Sequence, residues 1–213
     1  MKYQIIPVTP FDQNCSLIWC QETHAAALID PGGEAELLLE AVEEKGLRLT
    51  KLLLTHGHLD HVGAAGELAE KLGIPIEGPQ HDDVFWLEML PQQAETFGFP
   101  PVSAFMPDRW LEQGDRIALG NTSLEVLHCP GHTPGHVVFF HRPSRTAFVG
   151  DVLFKGSIGR TDFPRGDTGT LIRSIREKLF PLGDDVTFIP GHGPVSTFGH
   201  ERRTNPYVGD RIP

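Results

Sequence analysis

THGHLDH, residues 55–61, decides how the rest of the chain is read. Seven consecutive positions hold three histidines and an aspartate. Such groups are costly inside a protein unless they are hydrogen-bonded or bound to a metal. The stretch follows KLLLT (51–55), a short apolar run with the character of a buried strand. It precedes Val62, Ala65, Leu68, Ala69 and Leu72, which recur at helical spacing and stop at Gly73. It is therefore expected to be a strand-to-helix loop, where α/β folds gather their chemistry. His56 and His58, two apart, can aim the same way from an extended turn, while Asp60 and His61 can address a second point.

Further candidates lie downstream. CPGHTPGH (129–136) puts His132 in a Gly- and Pro-braced loop after the run SLEVLH. FVGD (148–151) ends a strand on Asp151, and FIPGHGP (188–194) ends another on His192. Five histidines and two aspartates thus fall at consecutive strand ends. Imidazole mixed with carboxylate suits zinc, iron or manganese. One zinc takes three or four protein ligands, so seven donors divide into two sites with one carboxylate shared. Two divalent ions, both aspartates and a bridging hydroxide would leave the site at about +1, able to draw in an electron-rich carbonyl.

The surrounding pattern places these loops. YQIIPV (3–8), SLIWC (16–20) and AAALID (25–30) read as an antiparallel meander. PGG (31–33) breaks it, and Leu37, Leu38, Ala41 and Val42 mark a helix ending at Gly46. HDDVFWLEML reads as a helix broken by Pro91, with Phe85, Trp86 and Leu90 as core, and FGFPP and MPDRW as loop. IALG (117–120), SLEVLH (123–128), HVVFFH (136–141) and TAFVGD (146–151) again read as antiparallel strands. Leu171, Ile172, Ile175 and Leu179 form a helix capped by Thr168, and VTFIP (186–190) is the last strand. Two sheets face to face with helices outside would bury both strand sets. Residues 1–213 are expected to form one α/β domain.

Composition sets the outer limits. The chain has 213 residues, 39% apolar, with 23 Gly and 18 Pro, which fits a loop-rich globular enzyme. A formal charge of −10 argues against a nucleic-acid partner. Three cysteines, Cys15, Cys20 and Cys129, form no disulfide framework and read as small buried hydrophobes. With neither a signal-like apolar segment nor a run of 18 apolar residues, the expectation is a cytoplasmic protein with no membrane span. His24, His81, His128, His141 and His200 are read as surface or capping groups, and His136 as a possible support for a ligand.

THGHLDH, PGHTPGH, VGD and PGHGP together resemble the metallo-β-lactamase superfamily, over nearly the whole chain. The resemblance implies an αβ/βα four-layer sandwich of two mixed sheets. It implies that His56, His58 and His132 hold one metal, that Asp60, His61 and His192 hold a second, and that Asp151 bridges. Within the superfamily the chain looks most like the glyoxalase II group, which hydrolyses S-2-hydroxyacylglutathione. GDVLFKGSIGRTDF (150–163) is similar to that group's segment after the bridging aspartate. There a basic residue nine positions on contacts glutathione. Here that residue is Arg160, with Lys155 a second candidate. ERRTNPYV (201–208) also resembles the group's passage after its last strand.

Three features depart from the group. Asp162 stands where it has an aromatic, Gly193 and Pro194 stand where it has Glu-Tyr, and only 21 residues follow His192. The group's C-terminal helical domain is thus expected to be absent, and a second subunit could complete the groove.

The expected reaction is hydrolysis of a thioester by a metal-bridging hydroxide oriented by Asp60. A bound water reaches a pKa of about 7, and a thiolate of pKa about 8.5 leaves without a dedicated acid. Two divalent ions, zinc before iron or manganese, are the implied cofactors. The alternative is a mononuclear-iron persulfide dioxygenase of the same superfamily, whose corresponding stretch GRTDF (159–163) closely resembles.

Overall fold

Strand alternation sorts this chain into layers. The computed structural model describes residues 1–210. The first sheet runs in the order β1 (Lys2–Val8), β2 (Gln13–Trp19), β3 (Ala25–Ile29), β4 (Arg48–Leu53) and β5 (Ile76–Glu77). Its first three strands are the expected antiparallel meander. β4 and β5 then add in parallel, which requires a helical crossover before each. Those crossovers are α1 (Ala35–Glu44), then α2 (Leu59–Val62) and α3 (Ala65–Leu72).

An extended arm carries α4 (Val84–Glu88) and α5 (Leu90–Phe97) before the second sheet. That sheet contains β6 (Arg116–Leu119), β7 (Thr122–His128), β8 (Val137–His141) and β9 (Thr146–Gly150), antiparallel as the sequence suggests. A hairpin of β10 (Leu153–Phe154) and β11 (Ser157–Ile158) follows, then α6 (Thr168–Arg173). β12 (Thr187–Pro190) pairs parallel with β9, β13 (Ser196–Thr197) closes the edge, and α7 (Phe198–Thr204) ends the fold.

The pleat shows how the layers form. On β8, Val137 and Phe139 join the core between the sheets, while Val138 and Phe140 join the core under α6. On β3, Ala27 and Ile29 face the inter-sheet core, and Ala26 and Leu28 face the helices. Both faces of these central strands are apolar because both are covered. The result is the αβ/βα sandwich, with strand ends of both sheets meeting at one rim.

Several local expectations change. The helix expected over 62–72 is interrupted between Val62 and Ala65, where Ala64 N donates to the carbonyl of Pro31 at 3.0 Å instead of within the helix. Helix α2 begins at Leu59, so Asp60 and His61 lie in a first helical turn rather than in a loop. Pro91 starts α5 instead of breaking a helix, since its missing N–H falls in a first turn where no partner is needed. The cap of α6 is Asp167, whose carboxylate accepts from Thr170 N at 2.6 Å, not Thr168. Past α6, residues Ser174–Leu179 wind wider, as a π-helix. The strand at VTFIP is not the last, because β13 adds beyond it.

Candidate metal centre and substrate cleft

β4 ends at Leu53, and the chain turns so that Thr55, His56 and His58 are buried at the sheet rim. His58 Nδ1 lies 3.1 Å from His56 Nε2 and 3.1 Å from His132 Nε2. His132 comes from the turn after β7, in the second sheet. A second group assembles beside the first. His192 Nε2 lies 3.1 Å from Asp60 Oδ2, and His61 Nε2 lies 3.7 Å from the same oxygen. Asp151 sits between the groups, with Oδ1 3.4 Å from His61 Nε2 and Oδ2 3.7 Å from His132 Nε2 and 3.8 Å from His192 Nε2. All seven residues singled out in the sequence therefore meet in one place.

The protein sets which nitrogen each ring offers. His61 Nδ1 donates to Asp30 Oδ2 at 2.9 Å, His132 Nδ1 to the carbonyl of Arg160 at 2.7 Å, and His192 Nδ1 to the carbonyl of Phe11 at 3.1 Å. His56 Nδ1 lies 3.0 Å from Thr55 Oγ1, which itself donates to Asp30 Oδ2. With Nδ1 engaged, Nε2 carries the free lone pair in these four rings. His58 is reversed and presents Nδ1. Asp30 thus orients two rings, a role the sequence reading missed although LIDPGG ends a strand at the same rim.

Burial and neighbouring charges divide the rings into two groups. Burial, with the adjacent imidazoles, holds His56, His58 and His136 well below the ordinary histidine range. Burial also lowers His132, though Asp151 opposes it. Burial acts against the Asp151 carboxylate, but the rings of His61, His132 and His192 outweigh it and keep Asp151 ionised far below the usual range. Burial works against charge on His61 as well, yet Asp151 and Asp60 raise it. His56, His58, His132 and His136 are thus neutral donors, while the Asp60 and Asp151 carboxylates favour a proton on His61 and His192, which a divalent cation would have to displace.

Among the seven residues, three buried atoms, Nε2 of His58, Nε2 of His61 and Oδ1 of Asp151, have no hydrogen-bond partner among the described residues. Buried polar atoms without partners are costly, and for His61 and Asp151 a cation between the carboxylates and rings removes that cost. Gly191 keeps the space open, because a Cβ there would lie 2.1 Å from Asp151 Oδ1 and 2.6 Å from His61 Cε1. The donor set fits two metal ions.

Supporting groups lock the loops. Asp83 accepts from Gly57 N at 3.0 Å, Thr133 Oγ1 at 2.8 Å and Gly135 N at 2.6 Å, joining the His56–His58 turn to the His132 loop. His136 stacks on His56 at 4.6 Å, and its Nε2 accepts from Asp151 N at 3.1 Å. The His192 loop is stitched to the first hairpin: Asn14 N donates to the carbonyl of Gly191 at 2.7 Å, and Asn14 Nδ2 to that of Gly193 at 2.9 Å.

A cleft of about 970 Å³ opens over these groups, lined by His58, Asp60, His132, Asp151 and His192 and otherwise largely by apolar side chains. Trp86 and Phe163 stand edge-on to each other beside His58, with ring centres 4.5 and 4.6 Å from it. Trp86 is therefore cleft wall as well as core. Phe163 was not anticipated: it lies one place past the position where the glyoxalase II group has its aromatic. Arg160 lines the cleft, stacks on Phe163 at 4.3 Å and forms a two-pronged pair with Asp162, 2.6 Å at each contact. Lys155 is exposed and does not line the cleft, so the structure does not bring it to the site. Of the five histidines read as surface or capping groups, His141 is buried, held by Thr122 and Ser144 at 2.6 Å each.

Comparison with known proteins agrees with this geometry. The family model described as the metallo-beta-lactamase superfamily matches residues 8–192. Hydroxyacylglutathione hydrolase GloC of Haemophilus influenzae is 56% identical over 212 residues, covering 99% of this chain and 100% of that one. A solved BLEG-1 B3 metallo-beta-lactamase superimposes with a TM-score of 0.89 at 33% identity, over 97% of this chain and 99% of that one. TTHA1623, solved in a di-iron-bound form, gives 0.88 at 38% identity over 96% and 100%.

Proposed function

The chain belongs to the metallo-β-lactamase superfamily, and from that membership we propose that it is a metal-dependent thioester hydrolase acting on hydroxyacylglutathione, with S-lactoylglutathione as the reference substrate. The observation that carries this reading is the full-length 56% identity to a hydroxyacylglutathione hydrolase. It is supported by a donor set that spans both sheets.

We assign His56, His58 and His132 to one divalent ion and Asp60, His61 and His192 to another, with Asp151 shared. Asp151 reaches toward rings of both groups, which supports the shared role. Zinc suits this set, and iron or manganese fits the same donors. Such ions supply a water of pKa about 7 and polarise the carbonyl. The protein's own groups do the rest. Asp60 is the carboxylate assigned to take the hydrogen bond of the attacking water. Burial works against its charge, but His61 and His192 keep it ionised. Trp86 and Phe163 exclude solvent beside His58, and Arg160 is the cation assigned to the thiol portion. Overall, water oxygen bonds to the acyl carbon, the C–S bond breaks, and carboxylate, thiol and one proton are released.

No described helix is long and apolar enough to cross a membrane. The three cysteines are unpaired and buried, which supports placing the enzyme in the reducing cytoplasm.

Metal analysis of native protein with an S-lactoylglutathione assay tests the reading. Two metals and thioester turnover are expected. One iron with oxygen-dependent sulfite release from glutathione persulfide would replace it with a dioxygenase. His58→Ala should lower turnover by more than about a hundredfold, the upper end of what losing even an outer partner of a ligand costs. Full retained turnover removes the site assignment.

A further inference from the structure

The cleft is asymmetric about the catalytic groups. On the side of His58 and His132 lies Arg160, stacked on Phe163. Among the described residues it is the only Lys or Arg side chain in the cleft lining. On the side of His192 the wall is aromatic. Phe11 is joined to His192 through its carbonyl, its ring lies 6.2 Å from that of Phe97 at a near-right angle, and Phe154 stands 6.5 Å from the His192 ring. Phe11 is 47% exposed and Phe97 53% exposed, so this wall offers apolar surface to whatever enters. It is also held in place: buried Gln93 on α5 accepts from Leu59 N at 3.0 Å and donates to the carbonyl of Trp86 at 2.8 Å.

Phe11 and Phe97, packed edge to face and both half exposed beside a reacting centre, offer apolar surface that suits a flat apolar group better than a small polar one. Arg160 draws the carboxylate-bearing thiol portion to its own end, which leaves the Phe11–Phe97–Phe154 end for the acyl substituent. Resting on the hydrolase reading above, we propose that this chain is selective for thioesters whose 2-hydroxyacyl group carries an aromatic ring, and that Phe97 with Phe11 forms the pocket that selects them.

The test compares S-mandeloylglutathione, with a phenyl ring where S-lactoylglutathione has a methyl, as substrates of the metal-loaded enzyme. The expected result is a kcat/KM ratio of about ten in favour of the mandeloyl ester, within the range by which apolar pockets discriminate size. Phe97→Ala should bring that ratio down about fivefold or more, and Phe97→Leu, which keeps an apolar side chain, should restore part of it. The variant ratio cancels any difference in intrinsic reactivity between the two esters. A wild-type ratio at or below one, or a ratio that Phe97→Ala leaves unchanged, overturns the selectivity while the hydrolase reading stands. Hydrolysis of neither ester overturns both.

Discussion

Arg160 reaches the cleft already paired. Its guanidinium is held by Asp162 two residues on, and the pairing draws the Asp162 carboxyl down to about 2. A substrate carboxylate must therefore compete with Asp162 for the same two-pronged contact. Asp162→Asn is expected to lower KM for a glutathione thioester by about threefold, the scale of an exposed ion pair, with kcat little changed. Steady-state kinetics at low salt check this. The sequence reading singled out Arg160 and noticed Asp162 as a departure, but it could not show that the two bind each other. Nor could it show that Phe163 packs beside His58 and under Arg160, because a one-residue offset in a loop is settled by backbone geometry. Asp83 makes a second prediction. Burial raises its carboxyl to about 6, while Thr133, Gly135 and Gly57 act to lower it. The folded state thus holds a proton that the unfolded chain, near 3.9, has lost. Stability falls as pH rises from about 4 to about 6 and levels off above. Asp83→Asn removes that portion of the slope, which denaturant titrations of both proteins across this window would reveal.

Among the elements, the turn after β12 carries the sharpest steric demand. Gly191 accommodates Asp151 and His61 only because it lacks a Cβ. Gly191→Ala is expected to displace Asp151, reduce bound metal below two equivalents and lower turnover by more than about tenfold, by analogy with losing a partner of a ligand. Metal analysis of the purified variant reads this directly. Elements long enough to show a period were legible: the meander of β1 to β3, the antiparallel run of β6 to β9, and the stripes of α1 and α3. What escaped notice had no period to show. β5, β10, β11 and β13 are two residues each. The break before Ala65 goes with a hydrogen bond from Ala64 N to the carbonyl of Pro31, a residue far earlier in the chain, which local pattern cannot reveal. Leu37 fits the α1 stripe yet is 44% exposed, since the helix buries Leu38, Ala41 and Val42 instead.

For the whole molecule, the candidate metal centre is also a fastener between the halves. Its donors come from the first sheet at His56, His58, Asp60 and His61, and from the second at His132, Asp151 and His192. We propose that the chain is a single domain, and a single cooperative transition by calorimetry is the expected outcome. Two separated transitions would overturn it. Because a cation bound only in the folded state stabilises by mass action, removing metal with a chelator should lower Tm by several degrees, and restoring a divalent ion should recover it. The candidate donor positions were legible from sequence because each lies shortly past the end of a strand. The resemblance already implied a shared Asp151, but which of its oxygens faces which ring needed coordinates, since it depends on how the two sheets face each other.

The stitching of the His192 loop to residues 11–14 joins two segments separated by most of the chain. Neither sheet holds a full donor set alone. On the assignment proposed above, a chain whose sheets have not yet docked would offer only part of the second group. Full metallation would then report that the two halves have come together.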